Sequence, residues 1–480
     1  MKIHFYPAGI GKSVGRMLKY LPRKQIDKGR GNEMPQDISH VPTFRAIHID
    51  LKGMPPRMER LLQLLELFAD AGYNALLIEW EDMFPWREEI FRRAEAYTVK
   101  EIQILAKRAA DLDLEIIPLV QSFGHMENVL RHRKYASFRE LDWLNSDLFP
   151  SSESRKLVTD MIDEMLEVLP QVRYLHLGGD EVGSLGLGRS RNLPESAKGK
   201  EYLYLSHMKA IAHHLQRKGI RPIIWSDMLR GMSSLALKEY AAVFDFAVWG
   251  SADLDRQAEL ILDAGGKIWG APCFKGADGI TSDLPDLGAR RKVTDAYLEL
   301  GKKYQLTGLI ACGWSRYSTL RSQCEPLEGA LDSAVITGIL FSGNVPEQDR
   351  ISGILKKNGF YQDHQRSKEL LESLTLLRKR CRHYLFDALE LAASQERLGV
   401  SEDSKSAWYS LMENHCLEEY ILLKKEFHRH FDRFIPETLV EDYLEERFIP
   451  FRRGLELMRE DCRKHGHPDA EKGYREIFGY

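Results

Sequence analysis

From residue 42 the chain alternates between short apolar runs and longer segments of helical period. The runs are FRAIHID (44–50), NALLIEW (74–80), LEIIPLV (114–120), VRYLHLG (172–178), RPIIWSD (221–227), DFAVWG (245–250), KIWGAP (267–272) and GLIACGW (308–314). Each is rich in β-branched or aromatic residues and almost continuously apolar, as in parallel strands covered on both faces. Between the first two, PPRMERLLQLLELFADAG puts Met58, Leu61, Leu62, Leu65 and Phe68 on one stripe, and Gly72 is the stop signal. Ser154 is placed to cap the helix SRKLVTDMIDEMLEVL before the fourth run.

Eight such units predict an α/β chain folded as a (β/α)8 TIM barrel, which needs about 250 residues. A doubly wound open sheet is the competitor, but no GxGxxG follows the first run. Strand signals stop near residue 345. The expected organisation is an N-terminal extension (1–41), a barrel (42–345) and a C-terminal helical region (346–480), whose dense charge reads as a solvated helix surface.

Composition narrows the class. The apolar share of 43% supports a full core, and a net charge of -3 with interspersed signs calls for no nucleic acid. The six cysteines form no CxxC pair, so neither a zinc ribbon nor a disulfide framework is expected. No run is long and apolar enough for a membrane span, and the first residues carry no signal-peptide core. Reduced thiols in a cytoplasmic protein are the expectation.

In a barrel of this kind the chemistry sits just after each strand. Those positions hold His48, Asp50 and Lys52; Glu79, Glu81 and Asp82; Gln121 and His125; His176, Asp180 and Glu181; Trp225 and Asp227; Trp249; Lys275; and Trp314, Arg316 and Tyr317. The densest segment is YLHLGGDEV (174–182). Its glycines let the backbone turn beside the acids. Two adjacent carboxyls raise each other's proton affinity, so one can stay ionised while the other keeps a proton. Glycoside cleavage needs that division of labour. His176 is expected to orient a carboxylate by hydrogen bonding.

HxGGDE at the fourth strand resembles the signature of family 20 glycoside hydrolases, the β-N-acetylhexosaminidases. FGHMENVL (123–130), IIWSDM (223–228), AVWG (247–250) and CGWSRY (312–317) resemble further strand ends of that family. HIDLKGMPP (48–56), LLIEWEDMFPW (76–86) and PLVQSFGHMENVL (118–130) are similar to its hexosaminidase D branch. The likeness spans roughly residues 44–345.

The resemblance implies a retaining reaction in which the substrate's own 2-acetamido oxygen is the nucleophile. It makes Glu181 the general acid and base, and Asp180 the group that holds the acetamide N–H and stabilises the oxazolinium. Trp225, Trp249 and Trp314 are expected to wall a sugar pocket. Asp50, Lys52, Glu79, His125, His176, Arg316 and Tyr317 are the other expected substrate contacts. The substrate is a carbohydrate ending in N-acetylhexosamine, with no cofactor and no metal. The chain departs from the family where HIDLKG replaces an Arg-bearing first strand end, APCFKG a Tyr-bearing seventh, and Arg316 an acid near the eighth. Two other readings stay open. His48, His125, His176 and the acids could bind a metal in a barrel hydrolase, or the rim could bind carbohydrate without cleaving it.

Overall fold

The apolar runs pair in order. A computed structural model describes residues 41–464 other than 170, 317 and 399–415. The expected N-terminal extension, Val41 excepted, and Tyr317 therefore lie outside the described residues. The strands are β1 (Phe44–Asp50), β2 (Ala75–Glu79), β3 (Glu115–Leu119), β4 (Tyr174–His176), β5 (Arg221–Trp225), β6 (Asp245–Trp249), β7 (Lys267–Ala271), β8 (Cys273–Lys275) and β9 (Gly308–Gly313). All pair in parallel, and β9 joins both β7 and β1, which closes the barrel. The short β8 prolongs β7 beyond Pro272 and runs beside the end of β9.

Inside the barrel Leu77, Ile117, Ile223, Trp225, Trp269 and Ile310 fill the lumen. Alternate residues point outward and join a larger core beneath the surrounding helices. The first of these helices, Met58–Ala71, ends at Gly72, whose φ of 104° and N–H bond to Ala69 O close its last turn. The helix after β3 corrects one expectation. It begins at Ser152, and the cap is Ser151, whose Oγ accepts the Ser154 N–H at 3.0 Å. Ser154 lies three residues inside the cap, where its own N–H is the group to be satisfied.

Helices Gln348–Lys357, Tyr361–Leu398, Cys416–Phe431 and Glu437–Lys464 follow the barrel. The last three share a separate apolar core that includes Leu371, Phe427, Phe431, Tyr443 and Leu444. Met54, from the loop after β1, packs into it. None of the described helices is long and apolar enough to cross a membrane. Cys273, Cys312, Cys324, Cys381 and Cys416 are unbridged.

Asp332 ties the barrel's last helix (Leu331–Phe341) to the helix Tyr361–Leu398. Its carboxylate meets Lys368 Nζ at 2.7 Å and His364 Nε2 at 3.4 Å. Burial alone would raise its pKa, but the hydrogen bond from His364 and the charges of His364 and Lys368 bring it down to about 2. A depressed carboxyl stabilises the fold above its unfolded pKa and loses that contribution as pH falls through the folded one. Asp332→Asn should therefore cost about 2 kcal/mol at pH 7, with the deficit shrinking below about pH 4. Urea unfolding midpoints between pH 7 and 3 check this; a deficit that ignores pH would rule out the ionic origin.

Candidate active site

β4 stops at His176, and the chain turns through Leu177-Gly178-Gly179 to the two acids. Gly178 and Gly179 hold φ of 60° and 81°. A Cβ on Gly178 would lie 2.0 Å from Gln121 Oε1, and one on Gly179 2.6 Å from the Tyr204 hydroxyl. Only glycine fits this turn. Glu181 follows at φ 51°, and His125 and Glu81, on the neighbouring strand ends, stand at φ 53° and 47°. Three non-glycine residues in the left-handed region on one rim mark backbone held against its preference, as at sites where geometry serves function.

The turn aims both acids at one imidazole. His125 Nε2 lies 3.2 Å from Asp180 Oδ2 and 3.4 Å from Glu181 Oε2. The acids differ in setting: the Asp180 side chain is 10% exposed and that of Glu181 53%. Asp180 Oδ1 is buried with no hydrogen-bond partner among the described residues, an acceptor free for a ligand N–H. Burial alone would lower the His125 pKa, yet the charge of Asp180 and the bonds to both acids raise it well above its ordinary value.

The Glu181 carboxyl is correspondingly lowered, chiefly by its hydrogen bond with His125. This corrects the expectation that adjacency would raise proton affinity at Glu181.

Asp227 completes the group from the end of β5. Its Oδ2 accepts the Glu181 N–H at 2.9 Å and its Oδ1 the Trp249 indole N–H at 3.3 Å. It thus fixes both the backbone of the outer acid and the plane of an aromatic wall. Burial, and then the charge of Asp180, push Asp227 up to about 7.

Family membership follows from sequence. Residues 81–269 match the glycosyl hydrolase family 20 catalytic domain. The chain is 34% identical over 355 residues to Hexosaminidase D of Homo sapiens, covering 70% of each chain. It is 35% identical over 324 residues to Hexosaminidase D of Bos taurus, covering 63% of this chain and 94% of that one. The chain belongs to glycosyl hydrolase family 20. At the level of fold it resembles a beta-N-acetylhexosaminidase from Bacteroides fragilis NCTC 9343, with a TM-score of 0.51, 15% identity, and coverage of 67% of this chain and 71% of that one.

On this family 20 barrel the other expected site residues take up several positions. His176 is buried and bonds to no carboxylate; its Nδ1 accepts the Gly178 N–H at 3.0 Å, so it supports the turn rather than an acid. Burial drops its pKa to about 3, leaving a neutral ring. Trp225, the last residue of β5, points into the lumen and is wholly buried. It lies under Trp314 (ring centroids 5.3 Å apart) and beside His176 (4.2 Å), a floor rather than a wall. Trp249 and Trp314 remain partly exposed.

Asp50, Lys52 and Glu79 engage one another. Lys52 Nζ lies 3.1 Å from Asp50 Oδ1 and 2.5 Å from Glu79 Oε1, which also accepts from Gln121 Nε2 at 2.8 Å. His48 Nε2 faces the second Glu79 oxygen at 3.3 Å. The Arg316 guanidinium turns away to Glu446 at 2.6 Å. His48, His125 and His176 thus each have a separate neighbour and do not converge on a common point.

Sequence reasoning singled out Asp227, Gln121 and Glu81 at strand ends without placing them among the expected substrate contacts, and it passed over Glu127. All four follow strand ends, which was the available signal. Burial raises Glu81, Lys52 pulls it down, and Glu79, Asp82 and Glu127 carry it up to about 8. Glu127 is likewise raised by burial, and its Oε2 is unpartnered.

Proposed function

We propose that the chain is a β-N-acetylhexosaminidase that releases terminal β-linked GlcNAc or GalNAc with retention, by substrate-assisted catalysis. The observation that carries this reading is the convergence of a buried acid with a free oxygen (Asp180) and an exposed acid (Glu181) on His125. Asp180 Oδ1 accepts the acetamide N–H and turns the acetamide oxygen towards C1. That oxygen forms a bond to C1 as the glycosidic C1–O bond breaks, and Glu181 gives its proton to the leaving oxygen. The Asp180 charge balances the oxazolinium that forms. Water then adds to C1, Glu181 takes its proton, and the acetamide is regenerated.

His125 holds the Glu181 carboxyl low, so Glu181 must take up a proton before it acts as the acid, and the imidazole is the adjacent donor. A sugar in the mouth strips water from the half-exposed Glu181 and favours its neutral form. Transfer then spans the 3.4 Å between Nε2 and Oε2. The partly exposed indoles of Trp249 and Trp314 suit the C–H faces of a sugar ring. The names of the human and bovine relatives support the same activity.

A panel of aryl β-glycosides with and without the 2-acetamido group tests the proposal, with no metal added. The N-acetyl sugars should be cleaved and plain glucosides and galactosides should be far poorer, because they lack the internal nucleophile. Equal rates on both would overturn the mechanism.

A further inference from the structure

The loop after β9, from Trp314 to Pro326, folds back on itself. Arg316 and Gln323 form an antiparallel bridge, and Cys324 donates to Ser315 O at 2.8 Å. One leg faces the sugar site. Trp314 packs against Trp225 and His48, and the Ser315 N–H and Oγ bond Asp50 at 2.7 and 2.8 Å. Asp50 is thereby spent on holding this loop.

The other leg is taken by the helix Glu437–Lys464. Glu446 Oε2 accepts the Gln323 N–H at 2.9 Å, and its Oε1 pairs with Arg316 at 2.6 Å. Arg447 donates to Gln323 O at 2.6 Å and to Cys324 O at 3.0 Å. Its Nε is pinned at 2.6 Å by the fully buried Asp283, which also accepts from Tyr443 (2.6 Å) and Arg378 (2.7 Å). The Arg447 and Asp283 bonds are charge-assisted and shielded from water, where directional polar contacts hold geometry tightly, while the Glu446–Arg316 pair is partly exposed.

We infer that this C-terminal helix sets the position of the eighth strand-end loop, with Glu446 and Arg447 as positioning residues that act on the reaction through Trp314. The helical region has its own apolar core, and the barrel closes without it. The helix nevertheless spends polar groups, the buried Arg447 among them, on the backbone of the loop that carries the Trp314 wall. Arg316 is then a brace between loop and helix, not a sugar contact. The inference rests on the strand-end rim being the sugar site.

A charge swap tests it in the full chain. Glu446→Lys and Arg316→Glu, made singly, should raise KM for an aryl N-acetyl-β-hexosaminide more than they lower kcat. The loss in kcat/KM should be about tenfold to a hundredfold, as expected when a wall is misplaced from a distance. Both should speed amide hydrogen exchange over 314–326, with the circular dichroism of the fold retained. The double swap should restore both readouts in part, because a lysine at 446 pairs with a glutamate at 316 but cannot accept the Gln323 N–H. Folded single variants with parental KM and exchange, or a double variant without rescue, would overturn the inference; so would faster exchange with unchanged KM. If either reversal fails to fold, Glu446→Gln keeps the shape, and parental exchange and KM there overturn it equally. A parent protein inert on every N-acetyl substrate would sink the sugar reading instead, while the exchange measurement still reports on the brace.

Discussion

Asp180→Asn should slow cleavage of aryl N-acetyl-β-hexosaminides by a factor of about 10² or more, alike for good and poor leaving groups. The variant keeps size and one oxygen but loses the charge that balances the oxazolinium. That charge acts from a side chain only 10% exposed, where screening by water is weak. Ring formation is the affected event, and it occurs in the same step as departure of the aglycone, so the lost charge is felt whatever the leaving group. A second readout accompanies the rate. After burial, the Asp180 charge is the main influence on the His125 pKa and the largest of those that raise it. Removing it lowers the pKa of the imidazole, so the alkaline limb of activity should move to lower pH. Single-turnover rates across a series of phenols, and their pH dependence, check both. A rate loss confined to poor leaving groups would mean that Asp180 is the proton donor.

How far the sequence carried this picture depends on the range of the interaction. The apolar runs at 44–50, 74–80, 245–250 and 267–272 each contain the strand found there, because a strand buried on both faces must be continuously apolar. β4 was the least legible. Its run, VRYLHLG, shrinks to Tyr174–His176, since Gly178 and Gly179 break the ladder to make the acid turn. The acids themselves were legible as a motif at a strand end. Their protonation was not, because it is set by His125, which arrives from the loop after β3.

The partners within the polar rim were hidden for the same reason. Asp50, Lys52, Glu79 and Arg316 sit where substrate contacts belong, and residue type alone does not reveal that each already has a partner. Arg316 finds its partner on a helix far along the chain. Among the buried oxygens without partners in the described residues, Asp180 Oδ1, Gln121 Oε1 and Glu127 Oε2 at the strand ends are the better guide to where a ligand's donors go. They are acceptors, as a ligand rich in hydroxyl and amide N–H groups requires.

Glu181→Gln should separate substrates by leaving group. The amide keeps the shape of the side chain and its backbone bond to Asp227, but it has no proton to give. Acidic phenols depart without help, so their first step should survive largely intact. Alkoxide-like leaving groups, including another sugar, need the proton and should fall by about 10² to 10⁴. The second step also suffers, because the base that activates water is gone, so an oxazoline intermediate should accumulate with the acidic phenols. His125 sharpens the contrast. It stands beside both acids and remains in the variant, 3.2 Å from Asp180. If the imidazolium could protonate the leaving oxygen directly, the Glu181 variant would show a flat dependence on leaving-group pKa. A steep dependence locates the donor at Glu181 and leaves His125 as the reservoir behind it. An added small nucleophile such as azide needs no general base, so it should rescue the second step with acidic phenols and give a β-glycosyl azide. Absence of that product, with the variant folded, would count against Glu181 as the acid and base of the reaction.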